Sequence, residues 1–177
     1  MAQKKLCFAA SVNDIAGMLS LLRSTPGLDV NSPNEAKGCW TALHLASYTG
    51  HVEIVKVLLA HPRINVNLKD VDGCTSIFLA CSSAHVSVVR LLLKDPRVDA
   101  TLMTNNDTTP LWDSSFYGEL EVVEWLIASG RDLGDLNQKG KSWAAGVEYS
   151  TLEIAREYGE CEVVSVLERF ITNPTQT

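Results

Sequence analysis

Few residues of this 177-residue chain have the type and spacing of a reactive site. The cysteines contain no C-x-x-C pair, which is typical of scattered free thiols in a reducing compartment rather than of a zinc site or redox pair. They are Cys7, Cys39, Cys74, Cys81 and Cys161. His44, His51 and His85 recur at repeated positions, and His61 lies in a turn signal, so the histidines form no ligand cluster either. We therefore expect neither a metal nor a cofactor.

Catalytic motifs are also missing from the sequence. It contains no glycine-rich phosphate loop, no G-x-S-x-G elbow and no H-E-x-x-H helix. Glu119, Glu121 and Glu124 are close enough in sequence to act as paired carboxylates. The simpler interpretation is that these glutamates lie on a solvated helix face, because nothing nearby in the sequence would raise the pKa of any of them. We predict that the chain is not an enzyme.

The amino-acid composition disfavours several classes of binding partner. The formal net charge of −6 disfavours nucleic acid and anionic membranes. The apolar runs are too short to span a bilayer, and the stretch Leu6 to Ala10 after Lys4 and Lys5 is too short for a signal peptide. Together with the free thiols, these features predict a cytoplasmic or nuclear protein.

The sequence repeats itself, and the repeats define the elements that position its side chains. Three versions of one hexapeptide, at Thr41–Ala46, Thr75–Ala80 and Thr109–Ser114, follow one another at intervals of 34 residues. Each is followed by a longer apolar pattern, at Gly50–Leu59, Ala84–Leu93 and Gly118–Ile127. The apolar residues fall on consecutive helical turns, so each unit predicts a short helix, a turn, a longer helix and a polar connector. A period in the low thirties is typical of a stacked solenoid.

Capping residues and a proline in the sequence support the predicted helix positions. Thr41, Thr75 and Thr109 can each cap the first turn of a helix with a hydroxyl oxygen. Pro110, directly after Thr109, suits the first helical position. The first helices are therefore expected to begin immediately after these threonines.

The pattern T-x-L-H-x-A, then G-H-x-x-[IV]-V-x-x-L-L, then connectors such as Asp29-Val30-Asn31 and Asn65-Val66-Asn67, resembles the ankyrin repeat. Degraded copies begin at Leu6 and at Ser150. The resemblance implies an all-α ankyrin-repeat solenoid of helix-turn-helix units with polar connectors, forming one domain over residues 1–172. The expected units are approximately 3–36, 37–70, 71–104, 105–146 with a long connector, and 147–172, with a frayed tail at 173–177.

The resemblance also assigns roles to motif residues. Trp112, Phe78, Cys7 and Glu153 stand where the motif has histidine, which implies that its usual structural hydrogen bond is absent in four units. Asn31 and Asn67 are expected to brace turns, although an asparagine at this position of the family is sometimes hydroxylated.

The C-terminal part of the chain departs from the regular period. Glu168 occupies a position that earlier units fill with Leu22, Leu59, Leu93 and Ile127, and a charge there predicts a terminal cap. The connector within residues 133–149 is seven residues longer than the period allows, and it contains three glycines, the basic pair Lys139 and Lys141, and Trp143. We expect Trp143 to dock onto the solenoid, or else to be free for a ligand.

Aromatic residues give the strongest signal for binding. In the family, the connector tips and the exposed ends of the first helices line a concave surface. Aligning the repeats brings Trp40, Tyr48, Phe116, Tyr117 and Tyr158 to that face, and with Trp143 they are the candidate partner-binding residues. Some of these rings could instead pack beneath neighbouring connectors.

These observations predict a monomeric protein–protein interaction module, an adaptor, scaffold or inhibitor that binds a protein partner through its concave face. Two alternatives remain open. The chain could be a targeting or regulatory module of a larger multidomain protein whose activity lies outside it. It could also be a passive spacer, in which case the aromatic residues of the concave face would be buried.

Overall fold

A computed structural model describes residues 2–34, 38–142 and 147–172. The predicted frayed tail and Trp143 lie outside these ranges. Within them the chain forms ten α-helices and two short β-strands. The helices are α1 (Ala2–Ser11), α2 (Ile15–Ser24), α3 (Ala42–Tyr48), α4 (Val52–Leu59), α5 (Ser76–Ser82), α6 (Val86–Lys94), α7 (Pro110–Phe116), α8 (Leu120–Ala128), α9 (Thr151–Glu157) and α10 (Cys161–Thr172), and the strands are β1 (Gly140–Lys141) and β2 (Glu148–Tyr149).

Hydroxyl caps fix where the first helices begin. Thr41, Thr75, Thr109 and Ser150 each accept a hydrogen bond from the backbone N–H three residues later, which satisfies one orphan donor of the first turn. Pro110 occupies the first turn of α7. The helix starts predicted from the threonines are confirmed.

The helices stack in two parallel rows. Each helix of the series α1, α3, α5, α7 and α9 packs against the next, and the second helices do the same from α2 to α10. The second-helix row is held by leucines with no exposed surface, namely Leu58, Leu92, Leu126 and Leu167. Each unit therefore buries its apolar face against its neighbours, which is the packing expected of a solenoid.

A ladder of arginines joins successive units. Arg63, Arg97 and Arg131 recur every 34 residues. Their guanidinium groups donate to the carbonyl oxygens of Leu28, Leu59 and Leu93 in the preceding unit, at 3.0, 2.8 and 2.9 Å. Leu59 and Leu93 lie at the C-terminal ends of α4 and α6, where unpaired carbonyl groups and the helix dipole both favour a cation.

Asparagine side chains brace the connectors, as predicted. Asn31 accepts a hydrogen bond from the N–H of Asn65 and donates to the carbonyl of Arg63, both at 2.8 Å. Asn67 makes the same pair of bonds one unit later, with Asp99 and Arg97.

The long connector before α9 contains an antiparallel hairpin rather than a wholly flexible loop. Gly140 pairs with Tyr149, and Lys141 with Glu148. A Cβ at Gly140 would lie 2.7 Å from Thr108 and 3.1 Å from Trp112, so only glycine allows the hairpin to approach α7 this closely. The hairpin is thus packed against the fourth unit.

Several charged residues of the C-terminal region form ion pairs. The Nζ atoms of Lys139 and Lys141 lie 3.7 Å from Glu153 and 3.3 Å from Asp107, so the basic pair does not form a separate patch. Glu168 is exposed and lies 2.6 Å from the guanidinium group of Arg156. This is the solvent-facing position expected of a terminal cap.

Candidate binding surface

The candidate aromatic residues occupy equivalent places in their units. Tyr48 and Phe116 are the last residues of α3 and α7, and Tyr117 and Tyr158 are the C-cap residues of α7 and α9. Side chains of helical residues lean toward the N-terminus, so these rings extend back along the helix surface. Tyr48, Tyr117 and Tyr158 expose 49, 51 and 42% of their surface.

Trp40 and Tyr48 form the first of two aromatic groups, the Trp40–Tyr48 pair. Their ring centroids lie 5.0 Å apart at an angle of 63°, an edge-to-face contact. The indole N–H of Trp40 donates to Asp70 at 2.8 Å, and Nε2 of His85 donates to the Tyr48 carbonyl at 2.9 Å. Asp70 ends the second unit, and His85 belongs to the third. The pair is therefore held in place both from its own unit and from the neighbouring one.

The second group, here called the Phe116 cluster, consists of Trp112, Phe116, Tyr117 and Tyr158. Phe116 stacks on Trp112 at 5.7 Å and meets Tyr117 and Tyr158 edge-on, at 4.6 and 4.5 Å between ring centroids. Because Tyr158 comes from the fifth unit, the cluster spans the junction between the fourth and fifth units.

Trp112 is the buried floor of the Phe116 cluster. It exposes only 2% of its surface, and its indole N–H donates to the Tyr149 carbonyl at 2.7 Å. Tyr149 belongs to β2, so this bond ties the hairpin to α7. The sequence interpretation did not include Trp112 among the site residues, because it counted this residue only as a replacement for the motif histidine.

The histidine of the second unit, His44, bonds to two backbone groups. Nδ1 of His44 accepts from the N–H of Thr41 at 3.0 Å, and Nε2 donates to the Leu68 carbonyl at 2.9 Å. Burial lowers the pKa of His44, which keeps one nitrogen free to accept.

The prediction that replacing this histidine removes its hydrogen bonding is wrong for two units. In the fourth unit, the Trp112 indole replaces the donor function by bonding to Tyr149. In the fifth, the Glu153 carboxylate replaces the acceptor function by accepting from the Ser150 N–H at 2.8 Å. Each of these residues therefore keeps one of the two hydrogen-bonding functions of the histidine, the donor function at Trp112 and the acceptor function at Glu153.

The structure brings the predicted aromatic residues into two groups rather than one. Between the Trp40–Tyr48 pair and the Phe116 cluster lies the third unit, with Cys74, Ser82 and Ser83 at the equivalent positions. Packed helices are separated by about 8–10 Å, so the two groups are roughly 20 Å apart. The predicted site residue Trp143 lies outside the described residues.

A buried carboxylate lies between the two groups. Asp113 on α7 exposes 4% of its surface, and its side chain bonds to that of Ser82. Burial raises the pKa of Asp113 to about 6. Burial, followed by the charges of Asp70, Asp72 and Asp113, also raises the pKa of the Cys74 thiol to about 12. Asp70, Asp72 and Asp113 therefore place negative charge near the Cys74 thiol.

Asp113 was missed in the sequence because it stands at the position of Leu45 and Leu79, in a register that is otherwise apolar. A polar residue at an otherwise apolar position was the signal that could have identified Asp113.

The described residues include no group of three or more His, Cys, Asp or Glu side chains that could hold a metal ion. All five cysteines are free thiols.

Comparison with known proteins agrees with this geometry. The family model described as ankyrin repeats in three copies matches residues 6–104 and, in a second overlapping match, residues 63–139. The chain belongs to the ankyrin-repeat family. No curated protein matches the sequence significantly. Both the predicted family and the predicted all-α ankyrin solenoid are thereby confirmed.

Membership in the ankyrin-repeat family indicates what such a surface generally does. Ankyrin repeats are generally protein–protein interaction modules, and the family is typically non-enzymatic. Among the described helices of this ankyrin chain, none has the length and apolar character needed to cross a membrane.

Proposed function

We propose that this ankyrin-repeat chain is a monomeric adaptor, scaffold or inhibitor, without catalytic activity, that binds a protein partner through its concave face. The observation that carries the proposal is the pair of aromatic groups at equivalent helix ends, which are partly exposed yet fixed by ring contacts and by hydrogen bonds within and between units. We further propose that its five units act as one domain, in the cytoplasm or nucleus, where its free thiols would stay reduced.

Fixed aromatic residues favour binding for an entropic reason. A flexible side chain loses rotamer freedom when a partner immobilises it, at a cost of about 0.5–1.5 kcal/mol. Trp40 has already lost that freedom through its bond to Asp70, and Phe116 through its three ring contacts. A partner that covers these rings would gain apolar contact at a low additional entropic cost.

The degree of exposure argues against a passive spacer. If the rings served only to pack the connectors, they would be buried. Instead, Tyr48, Tyr117 and Tyr158 are all exposed, although each keeps a ring contact with a neighbour. Rings that are held on one side and open on the other are suited to contact with another protein.

Quantitative affinity capture from the native cell can test this function. We expect specific partners to be enriched by the wild-type chain and lost from the Tyr48→Ala and Tyr117→Ala variants, because both residues are exposed and their loss should not unfold the chain. Lys56→Ala is the control, since Lys56 is exposed on α4 and pairs only with nearby Glu53. Partners that bind all four proteins equally would contradict the proposal.

A further inference from the structure

Four acidic residues lie near the Phe116 cluster, along the chain or in space. Asp113 lies on the same helix as Phe116, Glu119 follows Tyr117 by two residues, and Glu157 directly precedes Tyr158. Glu160 lies against Gly118, where any Cβ would overlap its carboxylate. Asp113 is buried, so the three glutamates are the acidic neighbours of the exposed tyrosines.

Two of these glutamates replace histidines of the regular repeat. Nε2 of His51 donates to the Ser11 carbonyl at 3.3 Å, and Nε2 of His85 donates to the Tyr48 carbonyl at 2.9 Å. Glu119 and Glu160 occupy the same place in the fourth and fifth units, and Glu160 lies over Gly118 as His85 lies over Gly50. An ionised carboxylate has no proton to donate to the end of the preceding first helix.

The exchange is unfavourable for the preceding first helix but favourable for the second helix that follows. The C-terminal end of a helix carries a partial negative charge, which a carboxylate opposes and a donor side chain stabilises. Glu119 is also the N-cap of α8, and Glu160 directly precedes α10, where the positive end of the helix dipole favours a carboxylate. The exchange therefore replaces a neutral donor with a negative charge at two equivalent places beside the cluster.

The nearby cations do not compensate for these charges. Among the described residues, no salt bridge includes any of the four acidic side chains around the cluster. Lys139 and Arg156 lie beside the hairpin, but they pair with Glu153 and Glu168.

Asp113 provides an independent indication of a ligand. It is almost completely buried, and its Oδ2 atom has no hydrogen-bond partner among the described residues. Its charge contributes to raising the pKa of Tyr117, after burial of the phenol. A buried carboxylate with one unpaired oxygen, beside an exposed aromatic cluster, favours a positively charged neighbour.

We propose that the Phe116 cluster receives an arginine or lysine side chain from a basic segment of the partner protein. The cation would lie over the rings of Phe116 and Tyr158, within the field of the surrounding carboxylates. The chain already contains such a contact at another place, where the guanidinium carbon of Arg90 lies 4.1 Å from the ring centroid of Trp125. This inference rests on the proposed protein-binding function and specifies the chemistry of its partner.

Selection from a random peptide library tests the inference directly. Peptides of about 12 residues are long enough, because an extended chain covers about 3.3–3.6 Å per residue and the two aromatic groups are roughly 20 Å apart. We expect the wild-type chain to enrich peptides that contain arginine or lysine. The dissociation constant of a selected peptide should rise about tenfold when its basic residue is replaced by glutamine.

Paired variants of the chain test whether peptide binding depends on the negative charges of Glu119 and Glu160 in particular. Glu119→Gln with Glu160→Gln should weaken the peptide about tenfold without loss of folding, because glutamine can restore the donor that the histidines supply. Glu121→Gln with Glu124→Gln is the matched control, since it removes two exposed charges from α8. The control should change the affinity less than about twofold.

The outcomes separate this inference from the proposed function. Selected peptides that lack basic residues but still require Tyr117 would overturn the inference and leave the concave-face function standing. Peptides that bind the Tyr48→Ala and Tyr117→Ala variants as tightly as the wild type would overturn both. An equal loss of affinity in the two glutamate pairs, or no enrichment of basic peptides, would also overturn the inference.

Discussion

Trp112 donates its indole N–H to the backbone carbonyl of Tyr149 at a distance of 2.7 Å. This bond connects α7 to the hairpin that replaces a simple connector before α9. Because Phe116 stacks on Trp112, the same contact supports the exposed aromatic surface. The irregular fourth unit is thus the place where the solenoid and its candidate binding surface depend on each other.

The first prediction concerns this bond. Trp112→Phe keeps an aromatic ring but removes the indole donor, so the Tyr149 carbonyl loses its partner. We expect the free energy of unfolding to fall by about 1–3 kcal/mol, from the lost hydrogen bond and the smaller ring. Hydrogen exchange of residues 140–142 and 147–149 should accelerate more than that of the second unit. If the loss of protection were uniform along the chain, the local role of Trp112 would be refuted.

The second prediction follows from the buried carboxylate of Asp113. Burial raises its pKa in the folded state to about 6, above the 3.8 of an exposed aspartate. The folded protein therefore retains a proton that the unfolded chain loses between about pH 4 and pH 6, and stability falls as the pH rises through that window. Asp113→Asn should raise the free energy of unfolding by about 1–3 kcal/mol at pH 7.5 and change it little at pH 4.

Urea titrations of both proteins at these two pH values measure this difference. The wild type and the variant share all other titrating groups, so their difference isolates Asp113. An equal change at pH 4 and pH 7.5 would show that the effect comes from packing rather than from ionisation.

The sequence predicted the regular parts of the fold because their causes are local. Thr41, Thr75 and Thr109 cap the helices that follow them, and the buried Leu58 and Leu92 follow from helical periodicity. The confirmed family assignment rests on the same repeated residues.

The site was harder to predict because its contacts are specific to single units. Sequence alignment placed the aromatic residues at equivalent positions, and Cys74, Ser82 and Ser83 at the same positions of the third unit were the available signal that the rings form two groups. The bond from Trp112 to Tyr149 depends on a hairpin that interrupts the period. The arginine ladder was also missed, since an arginine in a polar connector carries no signal of its partner.

The third prediction concerns that ladder. The guanidinium group of Arg131 donates to four carbonyl groups of the preceding unit, those of Leu93, Asp95, Pro96 and Val98. Lysine keeps the charge but cannot reach all four, so Arg131→Lys should lower the free energy of unfolding by about 1–3 kcal/mol. Arg63→Lys removes the single side-chain bond to Leu28 and should cost about 1 kcal/mol or less. Chemical denaturation would compare the two, and a larger loss at Arg63 would contradict this interpretation.

The fourth prediction compares two neighbours on α10. Leu167 is completely buried, whereas Glu168 is exposed and forms a surface pair with Arg156. Leu167→Ala should cost about 2–5 kcal/mol, because it leaves a cavity against the adjacent helices. Glu168→Ala should cost less than about 1 kcal/mol. Thermal unfolding can rank the two variants, and a severe loss at Glu168 would mean that the C-terminal end of the stack is placed wrongly.

The most direct test of the central claim is site-specific photo-crosslinking in the native cell. The photoreactive residue p-benzoylphenylalanine would replace either Tyr117, which belongs to the Phe116 cluster, or Trp125 of α8, which packs under Arg90 of α6. If the aromatic surface binds a protein partner, a discrete crosslinked partner should form from position 117 and not from position 125. Crosslinking of the same partner from position 125 alone, or equally from both positions, would contradict the account.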